Sequence, residues 1–182
     1  MKKIYLTIAS FTLIFCSSCT EKDTTFQITE NSVGPLRRDT PVSRLEDMFS
    51  ADSILKDTLS TKIGASTKKI QIFEKGGRPL LRLTPNTDSI QTFENVQILD
   101  SRYTSEKGIS LNSTFKDIQE NYAIKKIVTT FNSIVVFPKE SNLYFTIDKS
   151  ELPSSLRYTT TKIEAVQIPD EAKIKYLMLG WD

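Results

Sequence analysis

Three observations in the sequence predict an α+β fold, mostly antiparallel sheet of about nine strands with two short helices. From Phe26 onward short apolar stretches alternate with turn residues, and several of the stretches alternate apolar and polar positions with a period of two. Two stretches break that rhythm with apolar residues three and then four apart. Turn residues separate the segments at short intervals, as antiparallel connections require.

The first residues belong to no fold. Met1, Lys2 and Lys3 are a short positive region, Ile4 to Phe15 is a largely apolar run of twelve residues, and Cys16-Ser17-Ser18-Cys19 closes it with small residues. Twelve residues rise only about 18 Å as a helix, against a hydrocarbon core of roughly 30 Å. Residues 1–18 therefore read as a secretory signal and not as a membrane span.

Ser17 and Ser18 immediately before Cys19 resemble the lipobox of bacterial lipoproteins, with Cys16 standing where that motif usually carries Leu. The resemblance implies that Cys19 is acylated, becomes the first residue of the mature chain, and makes the membrane a partner through its lipid. The other reading is an ordinary cleavage site nearby, which leaves Cys19 as a free thiol in an oxidising compartment. Residues 19–25 then form a polar lipidated tether, and 26–182 a single globular domain. Glu21-Lys22-Asp23 is similar to the acidic signal of surface-exposed lipoproteins, and also reads as a plain soluble linker. Thr20 stands after the cysteine in place of the Asp of inner-membrane retention. The resemblance implies the outer membrane, with its periplasmic and outer faces both open.

Removing residues 1–18 from the 182 leaves 164, and removing Lys2 and Lys3 brings 24 basic residues to 22, equal to the 22 acidic ones. A neutral body with isolated pairs such as Arg37-Arg38, Lys68-Lys69 and Lys125-Lys126 lacks the concentrated positive surface that phosphate backbones require, so no nucleic-acid partner is expected. Zero histidine removes the commonest general base, the Ser-His and Cys-His pairs and every His-containing metal site. No cofactor and no metal ligands are expected. With Cys16 gone and Cys19 acylated, the body holds no disulfide and depends on an ordinary apolar core.

The elements follow in order. Thr40 can cap a helix with Pro41 at its first position, and Val42, Leu45 and Phe49 give the apolar stripe. Ile70 and Ile72 alternate with Lys69 and Gln71, then Glu74-Lys75-Gly76-Gly77-Arg78 turns the chain and Pro79 to Leu83 returns as a hairpin. Val96 and Ile98 mark another strand. A second helix bearing Phe115, Ile118 and Tyr122 begins at Ser113 or Thr114. Ile134-Val135-Val136-Phe137 reads as a strand covered on both faces, Leu143, Phe145 and Ile147 as one face of the next, and Ile174, Tyr176 and Met178 as one face of the last.

Gly34 precedes Thr40 by six residues as Gly108 precedes Thr114, and each helix is followed by strand-like runs. Two halves, 26–100 and 101–182, follow from that recurrence if it is a duplication. Common Gly-turn-Thr chemistry is the competing account. The Gly-x5-Thr opening of a short helix before a meander resembles small periplasmic lipoprotein modules, including the small lipoprotein of the barrel-assembly machinery and the tandem-repeat β-lactamase-inhibitor protein. The Gly-x-Pro that usually follows the helix in that family is missing, and no functional residue carries over. The resemblance implies a protein-binding scaffold.

Catalytic patterns in the chain are sparse. Glu46-Asp47 and Asp170-Glu171 are adjacent, so their side chains diverge in either a helix or a strand and make poor acid/base pairs. Ser53-Ile54-Leu55-Lys56 has the Ser-x-x-Lys spacing without companion motifs. Gly76-Gly77 between Lys75 and Arg78 could cradle an anion, but a strand-like run follows where a phosphate loop needs a helix. Asp-Ser/Thr pairs at Asp23, Asp52, Asp57 and Asp88 match an envelope O-glycosylation pattern as well as ordinary turns. The expectation is a lipid-anchored, non-enzymatic module that binds an envelope protein or ligand through an exposed sheet face, with Tyr144, Thr146 and the face carrying Gln97 as the residues to inspect. A carboxylate-dependent hydrolase and an inhibitor or immunity protein are the alternatives.

Overall fold

The computed structural model describes residues 23–60 and 66–181, and Cys19 lies outside them. Twelve strands form two sheets, where the sequence predicted about nine. Four of the twelve have only two residues, too short to show a period: β1 (Gln27–Ile28), β2 (Ser32–Val33), β3 (Leu36–Arg37) and β8 (Thr104–Ser105), which form a small sheet in the order β3-β2-β1-β8.

The large sheet has eight strands. β4 (Ser53–Ser60), β5 (Ser66–Phe73), β6 (Pro79–Pro85) and β7 (Phe93–Ile98) make one antiparallel meander. β9 (Ile124–Thr129), β10 (Ser133–Pro138), β11 (Leu143–Asp148) and β12 (Ile174–Gly180) make a second. The second enters in reverse order, so the last strands of the two meanders, β7 and β12, pair at the centre with Ile98 opposite Leu177. A short helix precedes each meander: α1 (Leu45–Met48) the first and α2 (Phe115–Asn121) the second.

The two helix starts differ from one another. Thr114 caps α2 as its spacing predicts, accepting from the Asp117 N–H while the Asp117 carboxylate accepts from the Thr114 N–H. Thr40 does not cap α1. Its hydroxyl accepts from the Arg37 N–H at 3.1 Å, and Pro41 leads into a single 3₁₀ turn, Val42–Arg44, before one turn of α-helix. The apolar stripe at Val42, Leu45 and Phe49 therefore spans two kinds of turn, with Leu45 and Phe49 buried.

The helices and the small sheet cover one face of the large sheet, and the core lies between in one contiguous cluster. Ile72, Leu81, Leu83, Val96, Phe145 and Leu177 project into it from successive strands, and Phe115 and Ile118 meet them from α2. The Tyr122 ring lies 6.1 Å from that of Phe145, fixing the end of α2 over β11. Across the small sheet, Tyr103 is fully enclosed and meets the edge of Phe26 at 5.1 Å. Burial raises the Tyr103 phenol well above its ordinary pKa.

Three glycines at two turns are required by the backbone. Gly34 sits at φ 55° with the Thr25 carbonyl so close that a Cβ would lie 2.5 Å from its oxygen. Gly76 and Gly77, at φ 111° and 92°, turn β5 into β6 as the sequence predicts.

Two strand readings are corrected. β12 does not keep one alternation: a bulge opposite Thr146 and Ile147 shifts its register, so Ile174, Leu177 and Leu179 are buried while Tyr176 and Met178 turn to the opposite face. β10 is covered on one side only. Ile134 and Val136 are buried and Val135 and Phe137 half-exposed, so its continuous apolar run serves a second surface.

Candidate binding face of the eight-stranded sheet

The register of the strands assembles one side-chain row across the whole uncovered face. Leu55 stands opposite Gln71, Gln71 opposite Arg82, Arg82 opposite Gln97, Gln97 opposite Met178 and Met178 opposite Tyr144. Phe137 continues the row by stacking on Tyr144 with ring centroids 5.5 Å apart at 20°. Lys126, paired with Phe137 on the edge strand, holds its Nζ 4.6 Å above that ring. A second row runs beside it through Tyr176, Thr146, Val135 and Val128.

Each position follows from alternation on a sheet covered on one side: where Leu81 and Leu83 point inward, Arg82 must point outward. Gln97, Tyr144 and Thr146, the residues the sequence singles out, fall together here, Gln97 and Tyr144 on either side of Met178 and Thr146 one row away. The sequence reading missed Arg82, Phe137, Met178 and Tyr176. Alternation could have found Arg82 between two leucines. Tyr176 and Met178 were hidden by the bulge, and Phe137 by a run with no polar partner.

The face is firm and mixed in chemistry. Arg82 donates from Nη1 to the Gln97 side-chain oxygen at 3.2 Å, and the Asn95 amide donates to the Tyr144 hydroxyl. Lys175 bonds Asp148 at 2.6 Å and lies 5.5 Å from the centre of the Tyr176 ring. The bond from Lys175, seconded by the Ser150 N–H, holds the Asp148 carboxyl down to about 2. Leu55, Tyr176 and Val128 are 55%, 42% and 40% exposed. Arg82, Lys126 and Lys175 give the face a positive bias against Asp148, while Lys69 stands opposite Asp57. Aromatic rings, a methionine and an arginine on a braced surface are the side chains enriched where proteins meet.

The catalytic patterns do not converge. Glu46 pairs with Lys56 at 2.6 Å and Asp47 with Arg44 at 3.2 Å, so the adjacent carboxylates of α1 engage separate cations. Asp170 and Glu171 lie exposed in a turn. Ser53 and Lys56, three apart on β4, fall on opposite faces of the strand. A polar cleft of about 620 Å³ opens at the β6–β7 turn beside Arg37 and Trp181, but the Asn86 amide within it is spent on Asp88 and Thr92. Among the described residues no helix is long and apolar enough to cross a membrane.

Comparison of the chain with protein-family models, with curated proteins and with solved structures finds no match in any of the three.

Proposed function

We propose that this protein is a lipid-anchored module of the bacterial envelope that binds another envelope protein through the uncovered face of its eight-stranded sheet, without covalent chemistry. The observation that carries the reading is the row from Leu55 to Lys126, which crosses all eight strands and mixes aromatic, thioether and cationic groups on one braced surface. A monomer seldom leaves so extended a mixed surface open without a use. The positive bias from Arg82, Lys126 and Lys175 favours a partner whose contact surface is acidic at its rim. The lipobox-like Ser17-Ser18-Cys19 supports the anchor.

Photo-crosslinking amino acids placed singly at Gln97, Met178 and Thr146 in cells test the face, with Glu171 as the control position. One common adduct from the three face positions and none from Glu171 is expected. Adducts of unrelated mass from every position, or none from the face, count against the reading. Incorporation of labelled fatty acid that disappears in Cys19→Ser is the expected result for the anchor.

A further inference from the structure

A separate cleft opens at one end of the large sheet, bounded by the β9–β10 turn and the loop 157–160, with a volume of about 390 Å³. Lys149 lies at its base and is 3% exposed. Its ammonium donates to the carbonyls of Phe131 at 3.2 Å and Thr159 at 2.6 Å. Both acceptors are neutral. A buried ammonium has three N–H donors and a full charge that is costly to desolvate without an anion, so two carbonyls leave it one donor and its charge in excess. Asp148, which also lines the cleft, is committed to Lys175 and to the Ser150 N–H.

Arg157 adds a second cation. Its Nε donates to the Leu152 carbonyl at 2.9 Å, which orients the guanidinium at the wall of the cleft and leaves its two terminal nitrogens for a ligand. Phe131 and Tyr158 stand at the rim, each 92% exposed. Two large rings held in water beside paired cations suit a ligand that joins an anionic group to an apolar stem.

The position of the cleft identifies where that ligand comes from. Arg102 stacks 4.2 Å over Phe26 and pairs with Glu74 in the β5–β6 turn, so Asp23 to Phe26 leave the molecule at that end of the sheet. The register carries the same end through β7, β12, β11 and β10 to the β9–β10 turn. Cys19 is four positions before Asp23 in the chain, a reach of at most about 14 Å. An acylated Cys19 therefore brings the bilayer to the end where Phe131 and Tyr158 project. Aromatic rings settle at the headgroup level of a bilayer, and basic groups beside them attract anionic lipid.

We infer that the Lys149–Arg157 cleft binds the phosphate of an anionic phospholipid headgroup, with Phe131 and Tyr158 seated among the upper acyl carbons. This site lies apart from the sheet face and stands or falls independently of the protein-binding role. It shares with that reading only the location of the anchor.

The test uses the full chain carrying Cys19→Ser in neutral maltoside micelles, so that lipidation does not enter the result. Dihexanoyl phosphatidylglycerol, dihexanoyl phosphatidylcholine and inorganic phosphate are titrated separately while backbone amide resonances are followed. Saturable shifts at Phe131, Asn132 and Arg157 to Thr160 are expected with phosphatidylglycerol, at a Kd about tenfold below that for phosphatidylcholine. Arg157→Gln should weaken phosphatidylglycerol about tenfold. The double variant Phe131→Ser, Tyr158→Ser should weaken it similarly while the sheet resonances stay in place. Equal affinity for the two lipids, shifts confined to other regions, or unchanged binding by both variants would overturn the site. Inorganic phosphate binding as tightly as phosphatidylglycerol would overturn the lipid and leave a free-anion site in its place.

Discussion

The side-chain amide of Asn95 on β7 donates to the hydroxyl of Tyr144 on β11, reaching across the intervening strand β12 over Gly180. Gly180 is opposite Asn95, and a Cβ there would lie 3.7 Å from Tyr144 Cε1, in ordinary contact. The bond thus joins the two meanders over the one residue of β12 that presents no side chain.

Tyr144→Phe should keep the ring stacked on Phe137 and lower stability by about 1 kcal/mol, the worth of one partly buried hydrogen bond, read from the urea midpoint. Gly180→Ala should be tolerated. Gly180→Leu fills the path of the bond and should cost at least as much as Tyr144→Phe while shifting the Tyr144 and Phe137 ring resonances. Equal stability of Gly180→Leu and the wild type would show that the bond contributes nothing.

Asp148 provides a pH signature. Its folded pKa is depressed from 3.8 to about 2, first by the Lys175 hydrogen bond. A depressed acid favours the folded state fully above 3.8, and that contribution disappears as pH falls through about 2. Carboxyl-detected NMR should show the Asp148 midpoint near the lower value in the wild type and higher in Lys175→Met, where the Ser150 N–H still holds it below the ordinary value. A midpoint near 3.8 in both proteins would remove the pair from the account.

Gly34→Ala combines a left-handed backbone at φ 55° with a contact of 2.5 Å to a carbonyl oxygen. A loss of about 1–3 kcal/mol is expected in chemical unfolding, with the largest amide shifts at Thr25 to Gln27. Gly108→Ala meets nothing within 4 Å and bears only its φ of 81°, so it should cost less.

Thr114→Ala should cost about 1 kcal/mol because a reciprocal cap is lost from α2. Thr40→Ala should leave α1 helical and loosen the turn at Arg37 instead, since the Thr40 hydroxyl serves that N–H. Amide hydrogen exchange separates the two outcomes: faster exchange in α2 for the first variant, and at Arg37 for the second.

The contrast between these threonines shows what the sequence could reveal. Spacing alone described α2, because Thr114, Asp117 and the stripe Phe115, Ile118 and Tyr122 all act within nine residues. The same spacing at Thr40 led elsewhere because Pro41 and the chain from Arg37 impose a 3₁₀ turn, a demand from residues outside the pattern. Leu143, Phe145 and Ile147 were readable as one buried face, and so the outward position of Tyr144 and Thr146 was too. Tyr176 and Met178 were not, since the bulge that turns them outward depends on the pairing partner and has no local signal. The cleft at Lys149 was illegible for a similar reason. Phe131, Lys149 and Arg157 sit on separate segments, and only the folded sheet gathers them.

The central place of β12 governs the order of assembly. β7 ends at Ile98, yet its neighbour in the sheet begins only at Ile174, so the first meander must wait with an open hydrogen-bonding edge while the remainder of the chain is delivered. While it stays open, that edge is the natural station for a chaperone. Ribosome- or translocon-stalled chains ending before Ile174 should be captured by holdases and cut by proteases, and those extending past Trp181 should escape both.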